Sequence, residues 1–580
     1  GSLTKLVHRL SDNDDDDSND PVIASYEFER DNLGRLIRSR QVNSNNGTVQ
    51  RTEHLYDSIG RLSAQRWTVG DQNYSESYTY NDGETGNGAL NTVTLGTGDQ
   101  GVFTYDPLNR LTEKLIKSPN GTTLFKHAIA YKNLQNNQTT NQVEFYNVRE
   151  ADGTLIAGNR YSYDNMGNIT AISQSSGSYF PLVSYDYDDQ GQLISEKFYD
   201  GNGNGETHIT DSYTYAYDTA GNILSVKENG ATIKSYTYST GDWKDLLTAV
   251  DGSPIVYEGQ TYSGGTVSGT AISGNPIRYT NDTQTYTNLT WQHGRQLTSL
   301  TTNGETYTYD YDVDGIRTQK VGNGEQHDYI TQNGKVVREH IISYNGWDWI
   351  LDFIYDNAGR PFALKYSNDG GENFTAYYYV LNLQGDVVAL LNASGTVIAR
   401  YTYNAWGELL SVTTDNGAAI TDSLDIAHLN PIRYRSYYYD TETGFYYLQS
   451  RYYDPENCRF INADSQINLD GFVDYNMFAY CCNNPVVCSD YDGRDQEYVI
   501  YTIKQEFRVG NIRFVITTTF YLTVPDGRPY EIAWSKSEFS LGGSLSNFNV
   551  TFVKEHSEKT GNYTVSLTLY NDETLSASLN

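Results

Sequence analysis

Three groups of residues in this chain have types and spacings that could do chemistry. Cys458, Cys481, Cys482 and Cys488 cluster in one short stretch. Four thiols so close could hold zinc, but no C-x-x-C pair occurs and the spacing fits no common zinc module. Small buried filler residues are the simpler reading. Two stretches imitate calcium loops. Asp310, Asp312, Asp314 and Gly315 give D-x-D-x-D-G, but the closing position is Val321 rather than Glu. The other, DGNGNGETHITD, offers Asp200, Asn202, Asn204, Glu206 and Asp211 as oxygen donors. Its flanks read as strands, not helices, so a polar hairpin loop is the plainer alternative. His556, beside Glu555 and near Glu558, is a general acid/base candidate with no partner that the sequence identifies.

Composition limits what such residues could act on. The chain has 580 residues and a net charge of −31, from 41 basic and 72 acidic side chains. That balance repels nucleic acid and anionic lipid from the outer surface. No apolar run approaches the roughly 18 residues of a membrane span. Four cysteines in so long a chain make no disulfide framework. Gly1-Ser2 reads as a cloning scar and DNDDDDSND, residues 12–20, as a solvated acidic run, so residues 1–21 are expected to be a flexible tail.

The elements that must position these residues are repeats. The chain carries 52 Tyr against 19 Phe and 7 Trp. YEFERDNLGRLI starts at Tyr26, YDSIGRL at Tyr56, YDPLNRL at Tyr105 and YSYDNMGNI at Tyr161. YDYDDQGQL follows from Tyr185, YAYDTAGNI from Tyr215, YDYDVDGI from Tyr309, YDNAGRP from Tyr355 and YNAWGEL from Tyr403, with degenerate copies at Tyr78, Tyr236 and Trp291. Tyr-x-Tyr alternates as a strand with one buried face does. Asp or Asn followed by Gly is turn chemistry, and the next Leu or Ile starts the return strand. Each unit is thus a hairpin, too small to stand alone, and the units must pair into a continuing sheet. Tyr suits a face that buries a ring yet keeps a polar tip. The fold class is all-β. An open solenoid and a sheet spiralling around a chamber both satisfy the pattern. Residues 120–158 and 250–285 lack clear units and are expected to hold longer loops or insertions.

This hairpin unit resembles the YD repeat of RHS proteins, insecticidal toxin C components and teneurins. YVLNLQGDVVALLNASGTVIARYTYNAWGELL, from Tyr379 to Leu410, looks like the end of that array. PIRYRSYYYDTETGFYYLQSRYYDPENCRFINADS, from Pro431 to Ser465, resembles the RHS-associated core. The resemblance spans about residues 22–494. It implies a YD-repeat β-shell over 22–430, spiralling and hollow, a core over 431–494 that closes it, and a variable C-terminal domain over 495–580. Such shells enclose their own C-terminal polypeptide, often a toxin.

The resemblance also implies self-cleavage. In cleaving members an Arg in R-Y-Y-D-P acts with two aspartates, one after an R-F segment and one opening D-P-x-G. The matching positions here are Arg451, Asp464 and Asp490. Two carboxylates in one site share a proton, so one can activate water while the other polarises the carbonyl. A neighbouring Arg orients the ionised one, and tethering supplies the effective concentration. The family's D-P-x-G-L reads Asp490-Tyr491-Asp492-Gly493-Arg494 here, followed by Asp495. Tyr491 replaces a rigid Pro, and Arg494 replaces an apolar residue before the cut. The alternative is that the three charges form a buried ion-pair network. Asp470, Asp474 and Asp492 are further acids without a motif position.

Beyond Arg494 the Tyr-Asp units stop, and YVIYTIKQEF, IRFVITTTFYLTV, FNVTFVKEH and NYTVSLTLY read as antiparallel strands. Acidic residues outnumber basic ones there, which disfavours a nuclease. Two functions fit: a toxin cage that releases its C-terminal segment, or a structural or adhesion module whose C-terminal domain binds a partner. The cage reading implies the C-terminal segment inside the shell as partner, a cognate immunity protein and an N-terminal delivery region outside this sequence. It implies a secreted or cell-surface bacterial location and no cofactor.

Overall fold

The computed structural model describes residues 5–9, 22–43, 49–69, 72–82, 88–133, 139–176, 181–201, 207–464 without 313, 333 and 357, and 476–493 without 491, then strands between 501 and 579. The chain divides into two compact units, residues 1–499 with 523–531, and residues 500–522 with 532–580.

The larger unit is a sequence of antiparallel meanders. Twenty strands from Lys5–Arg9 to Ser253–Pro254 form one sheet, and each strand pairs with the next along the chain. Fourteen strands from Val256–Tyr257 to Leu409–Thr413 form a second. A four-stranded meander from Tyr438–Asp440 to Arg459–Phe460 follows. Among the described residues the only α-helix is one turn, Ile426–Leu429, capped by Asp425, whose carboxylate accepts from Ala427 N at 2.8 Å.

The repeat's residues explain this architecture. In most units one Asp builds the turn, and in the unit at Tyr403 Asn404 does so. Asp57 Oδ1 accepts from the backbone N–H of Ile59 and Arg61 at 3.0 and 2.9 Å, and its Oδ2 accepts from Arg61 Nε at 2.7 Å. Gly60, at φ 95°, donates back to the Asp57 carbonyl, a conformation that favours glycine. Asp31, Asp106, Asp164, Asp188, Asp218 and Asp312 repeat the bonds to the second and fourth residues on. Asp312 therefore belongs to a repeat turn, and Asp314 accepts from the Tyr26 hydroxyl at 2.6 Å.

The tyrosines bind one hairpin to the one before it. The hydroxyls of Tyr56, Tyr80, Tyr131, Tyr163, Tyr187 and Tyr217 donate to the carbonyls of Leu36, Leu62, Leu111, Val143, Ile169 and Leu193 at 2.6–2.9 Å. Tyr311, Tyr355 and Tyr403 do the same in the second sheet. Trp291 takes the role with its indole N–H, 2.7 Å from the Pro276 carbonyl. The polar tip expected of these rings is thus a bond between units. Tyr217→Phe leaves the carbonyl of Leu193, a fully buried residue, without this donor. We expect a loss of about 1–3 kcal/mol in thermal or denaturant unfolding.

Two expectations are corrected. Lys5–Arg9, inside the expected flexible tail, is a strand paired antiparallel with Val22–Arg30. Residues 120–158 hold long paired strands, Thr123–Asn133 and Thr139–Glu150, of 11 and 12 residues. Their Leu124, Phe125, Tyr146 and Val148 are buried, so the apolar pattern and threonine's fit to a pleated sheet sustain the meander without the Tyr-Asp signature. Residues 250–285 do carry an insertion: the first sheet ends there, and Gln260–Ser263 pairs with Thr266–Gly269 as a separate hairpin.

In the smaller unit two three-stranded antiparallel sheets occur. One runs through Tyr501–Val509, Ile512–Phe520 and Ser537–Gly542, the other through Thr551–His556, Tyr563–Thr568 and Thr574–Leu579.

Candidate active site

Arg451 stands at the start of strand Tyr452–Asp454, after a tight turn in which Leu448 N donates to the Arg451 carbonyl at 3.0 Å. Asp464 follows strand Arg459–Phe460, and its backbone N–H donates to the Met477 carbonyl at 2.9 Å. Asp490 lies on a later segment whose backbone N–H donates to the Tyr437 hydroxyl at 2.8 Å. Three separate stretches thus converge on one guanidinium. Arg451 Nη2 lies 3.0 Å from Asp464 Oδ2 and 3.3 Å from Asp490 Oδ2. Its Nη1 donates to the Met477 carbonyl at 3.1 Å, its Nε donates to the Gly493 carbonyl at 2.5 Å, and the group stacks 3.5 Å over the Phe460 ring.

Asp490 is 2 % exposed. Burial pushes its carboxyl up to about 7, Arg451 opposes the shift, and the charges of Asp492 and Asp464 add to it. A carboxyl in that range can both give and take a proton near neutrality. Its Oδ1 accepts from the Gly493 N–H at 2.8 Å. The segment expected to be cut is therefore held by the same residues that could cut it.

A clasp that the sequence reading missed secures this arrangement. Asn476, Asn483 and Asn484 donate their side-chain amides to Asn222, Gln192 and Asn168 at 2.9, 2.9 and 3.0 Å. These acceptors occupy the fourth position after the turn aspartates Asp218, Asp188 and Asp164. At that position earlier units carry Arg35, Arg61 and Arg110, which stack on Tyr56, Tyr80 and Tyr131 instead. The change from Arg to Asn or Gln along the repeats was a visible signal. Met477, next to Asn476, supplies the carbonyl that takes both Arg451 and Asp464.

Asp200 sits opposite His208 and Asp211 opposite Phe198 in a hairpin ladder, while Asn202, Asn204 and Glu206 lie outside the described residues. Tyr491, Arg494, Asp495, Asp470 and Asp474 also lie outside them. His556 ends a strand, paired opposite Tyr563. No cluster of three or more His, Cys, Asp or Glu fit to hold a metal occurs among the described residues. Cys458, Cys481 and Cys488 are buried. Cys458 and Cys482 adopt φ of 58° and 48°, the left-handed region, which is why glycine suits these positions.

The Teneurin YD-shell family model matches residues 17–208. The tRNA3(Ser)-specific nuclease WapA of Bacillus spizizenii is 28% identical over 397 residues, covering 58% of this chain. The toxin subunit YenC1 of Yersinia entomophaga is 23% identical over 382 residues, again 58% of this chain and 36% of its own length. This chain spans only 15% of the length of that nuclease. Among solved structures, the TcdB2-TccC3-Cdc42 crystal structure superposes with a TM-score of 0.51 at 17% identity, covering 84% of this chain and 27% of that one. A likeness at that identity shows the fold: an all-β arrangement of the YD-shell kind.

Proposed function

This chain is an RHS/YD-repeat protein, and on that premise we propose that it is a toxin-delivery shell that encloses its C-terminal polypeptide and cuts it free. The observation that carries the reading is the convergence of Asp464, Asp490 and Gly493 on Arg451. A scaffold does not require a buried carboxyl poised near neutrality beside a chain segment that it also binds. Relatives described as a nuclease and a toxin subunit support an effector role for residues 495–580. Secretion or display at a bacterial surface, an immunity protein and an N-terminal delivery region belong to the same proposal. Denaturing gel and intact-mass measurement of the purified chain tests it. Two fragments meeting near residue 494 that stay together until denatured, with the smaller resisting protease before denaturation, are expected. A single uncut chain would favour the reading as a structural or adhesion module.

A further inference from the structure

Both large sheets and the core meet at the last turn of the second sheet, residues 404–407. This turn joins Val397–Tyr403 to Leu409–Thr413. Three core hydroxyls hold its carbonyls: Tyr434 donates to Ala405 at 2.8 Å, Tyr453 to Trp406 at 2.6 Å and Tyr446 to Gly407 at 2.9 Å. Trp406 is fully buried and meets the Tyr215 ring of the first sheet edge-on, with centroids 5.7 Å apart. A polar contact from the first sheet completes the grip. Glu196, on strand Leu193–Gly201, accepts from the Ala405 N–H at 3.2 Å.

Glu196 is 1 % exposed. Tyr185 and Tyr213 stand opposite it on the flanking strands, and Tyr187, Tyr215 and Glu408 also face it. Among the described residues no cation does. Lys234 bears on Glu408 instead and pairs with Asp282 at 2.8 Å; Arg435 bears on Tyr185 and Tyr187 and pairs with Asp386 at 3.3 Å. Burial pushes the Glu196 carboxyl up to about 8, the Glu408 charge adds to the shift, and the Ala405 N–H and a hydrogen bond from Tyr215 oppose it. The closed junction therefore holds a neutral acid. A carboxylate without a cation is tolerated there only if water reaches it, and water reaches it only if the first sheet and the turn part.

We propose that Glu196 is a proton-operated latch: protonated, it lets the first sheet seat against the turn that ends the repeats, and ionised, it parts them, so the larger unit stays shut in mild acid and loosens as pH rises. The latch requires the fold alone and not self-cleavage. Its sign follows from linkage. In the opened junction the carboxyl titrates at its ordinary value of about 4.3; in the closed one it keeps its proton to about 8. Between those values the open form binds fewer protons, so each pH unit favours opening by up to roughly tenfold. The ion-paired acids act the other way. Asp356 beside Lys114 and Asp440 beside Arg317 are held ionised and give up their pairing in acid.

Amide hydrogen exchange of residues 193–198 and 404–408 in the full chain, corrected for the intrinsic pH dependence of exchange, reads the opening. In the parent it should rise by roughly 10²-fold between pH 5 and pH 7. Glu196→Gln keeps the shape and the acceptor but cannot ionise, so its opening should stay level over that range. Glu408→Gln removes the neighbouring charge, and should keep the rise while moving its upper end to lower pH. A level parent, or a rise in Glu196→Gln equal to the parent's, overturns the latch. So does loss of the rise in Glu408→Gln, which would make Glu408 the titrating group. The parent and Glu408→Gln decide the matter even where Glu196→Gln does not fold.

Discussion

Asp490→Asn and Asp464→Asn should each leave the chain uncut, with cleavage slowed by roughly 10²–10⁴-fold and the β-sheet circular dichroism intact. Asn at 490 keeps an acceptor for the Gly493 N–H but can neither take nor give the proton. In the parent chain, burial holds the Asp490 carboxyl near 7, so the pH profile of cleavage should turn near neutrality rather than near 4. Stability gives a second, independent readout, and its sign follows from linkage. Unfolded, Asp490 loses its proton near its ordinary value of about 3.9; folded, it keeps it to about 7. Between those values the unfolded chain binds fewer protons. Stability therefore falls as pH rises, by about 1.4 kcal/mol per pH unit from this group, and levels off above the folded value. Asp464→Asn retains that loss and Asp490→Asn lacks it, while neither is complicated by cleavage. Thermal unfolding of the two variants at pH 5 and pH 8 should diverge towards the alkaline side, with Asp490→Asn the more stable at pH 8. Parallel curves would remove the buried, protonated carboxyl from the account.

Part of this site could be read from the residues, and part could not. The Tyr-Asp-Gly pattern is local, because one Asp closes its own turn within four residues, so hairpins and their continuing sheet were legible. The polar tip of Tyr was legible too, but its target was not. Tyr217 bonds to Leu193 in the preceding hairpin, a relation that needs the register of two strands. Residues 120–158 misled because the reading relied on Tyr-Asp as the marker, whereas buried Leu124, Phe125 and Val148 carry the strands alone. Arg451, Asp464 and Asp490 were legible only through a motif. The clasp of Asn476, Asn483 and Asn484 joins residues hundreds of positions apart, and nothing in either segment names the other. Cys458 and Cys482 show the converse case. Their identity was visible in the chain, and the positive φ that they adopt was not.

Arg317→Met should be the most destabilising single change in the larger unit, costing about 3–5 kcal/mol. Arg317 and Asp440 are 1 % and 0 % exposed and join the second large sheet to the four-stranded meander that leads to Arg451. The pair is two-pronged, with Nη1 to Oδ2 at 2.7 Å and Nη2 to Oδ1 at 2.9 Å. Tyr447 and Tyr329 place their rings 4.4 and 5.0 Å from the guanidinium carbon, so its charge is held by π faces as well as by the carboxylate. Lys320 adds a weaker contact to Asp440 at 3.5 Å and is itself shared with Glu442 at 3.0 Å. Removing Arg317 leaves Asp440 buried against that shared lysine. Asp440 must then take up a proton or draw in water, and either opens the seam between sheet and meander. The loss should therefore exceed what a surface ion pair gives up, and it should shrink in acid, where a protonated Asp440 no longer needs a cation. Asp440→Leu combined with Arg317→Met removes both charges and should recover most of the stability, because the cost lies in stranding one partner. Denaturant unfolding of the two single variants and the double one measures this directly. If the double variant is as unstable as the sum of the singles, the seam is held by the shapes of the surrounding rings and not by the charge pair.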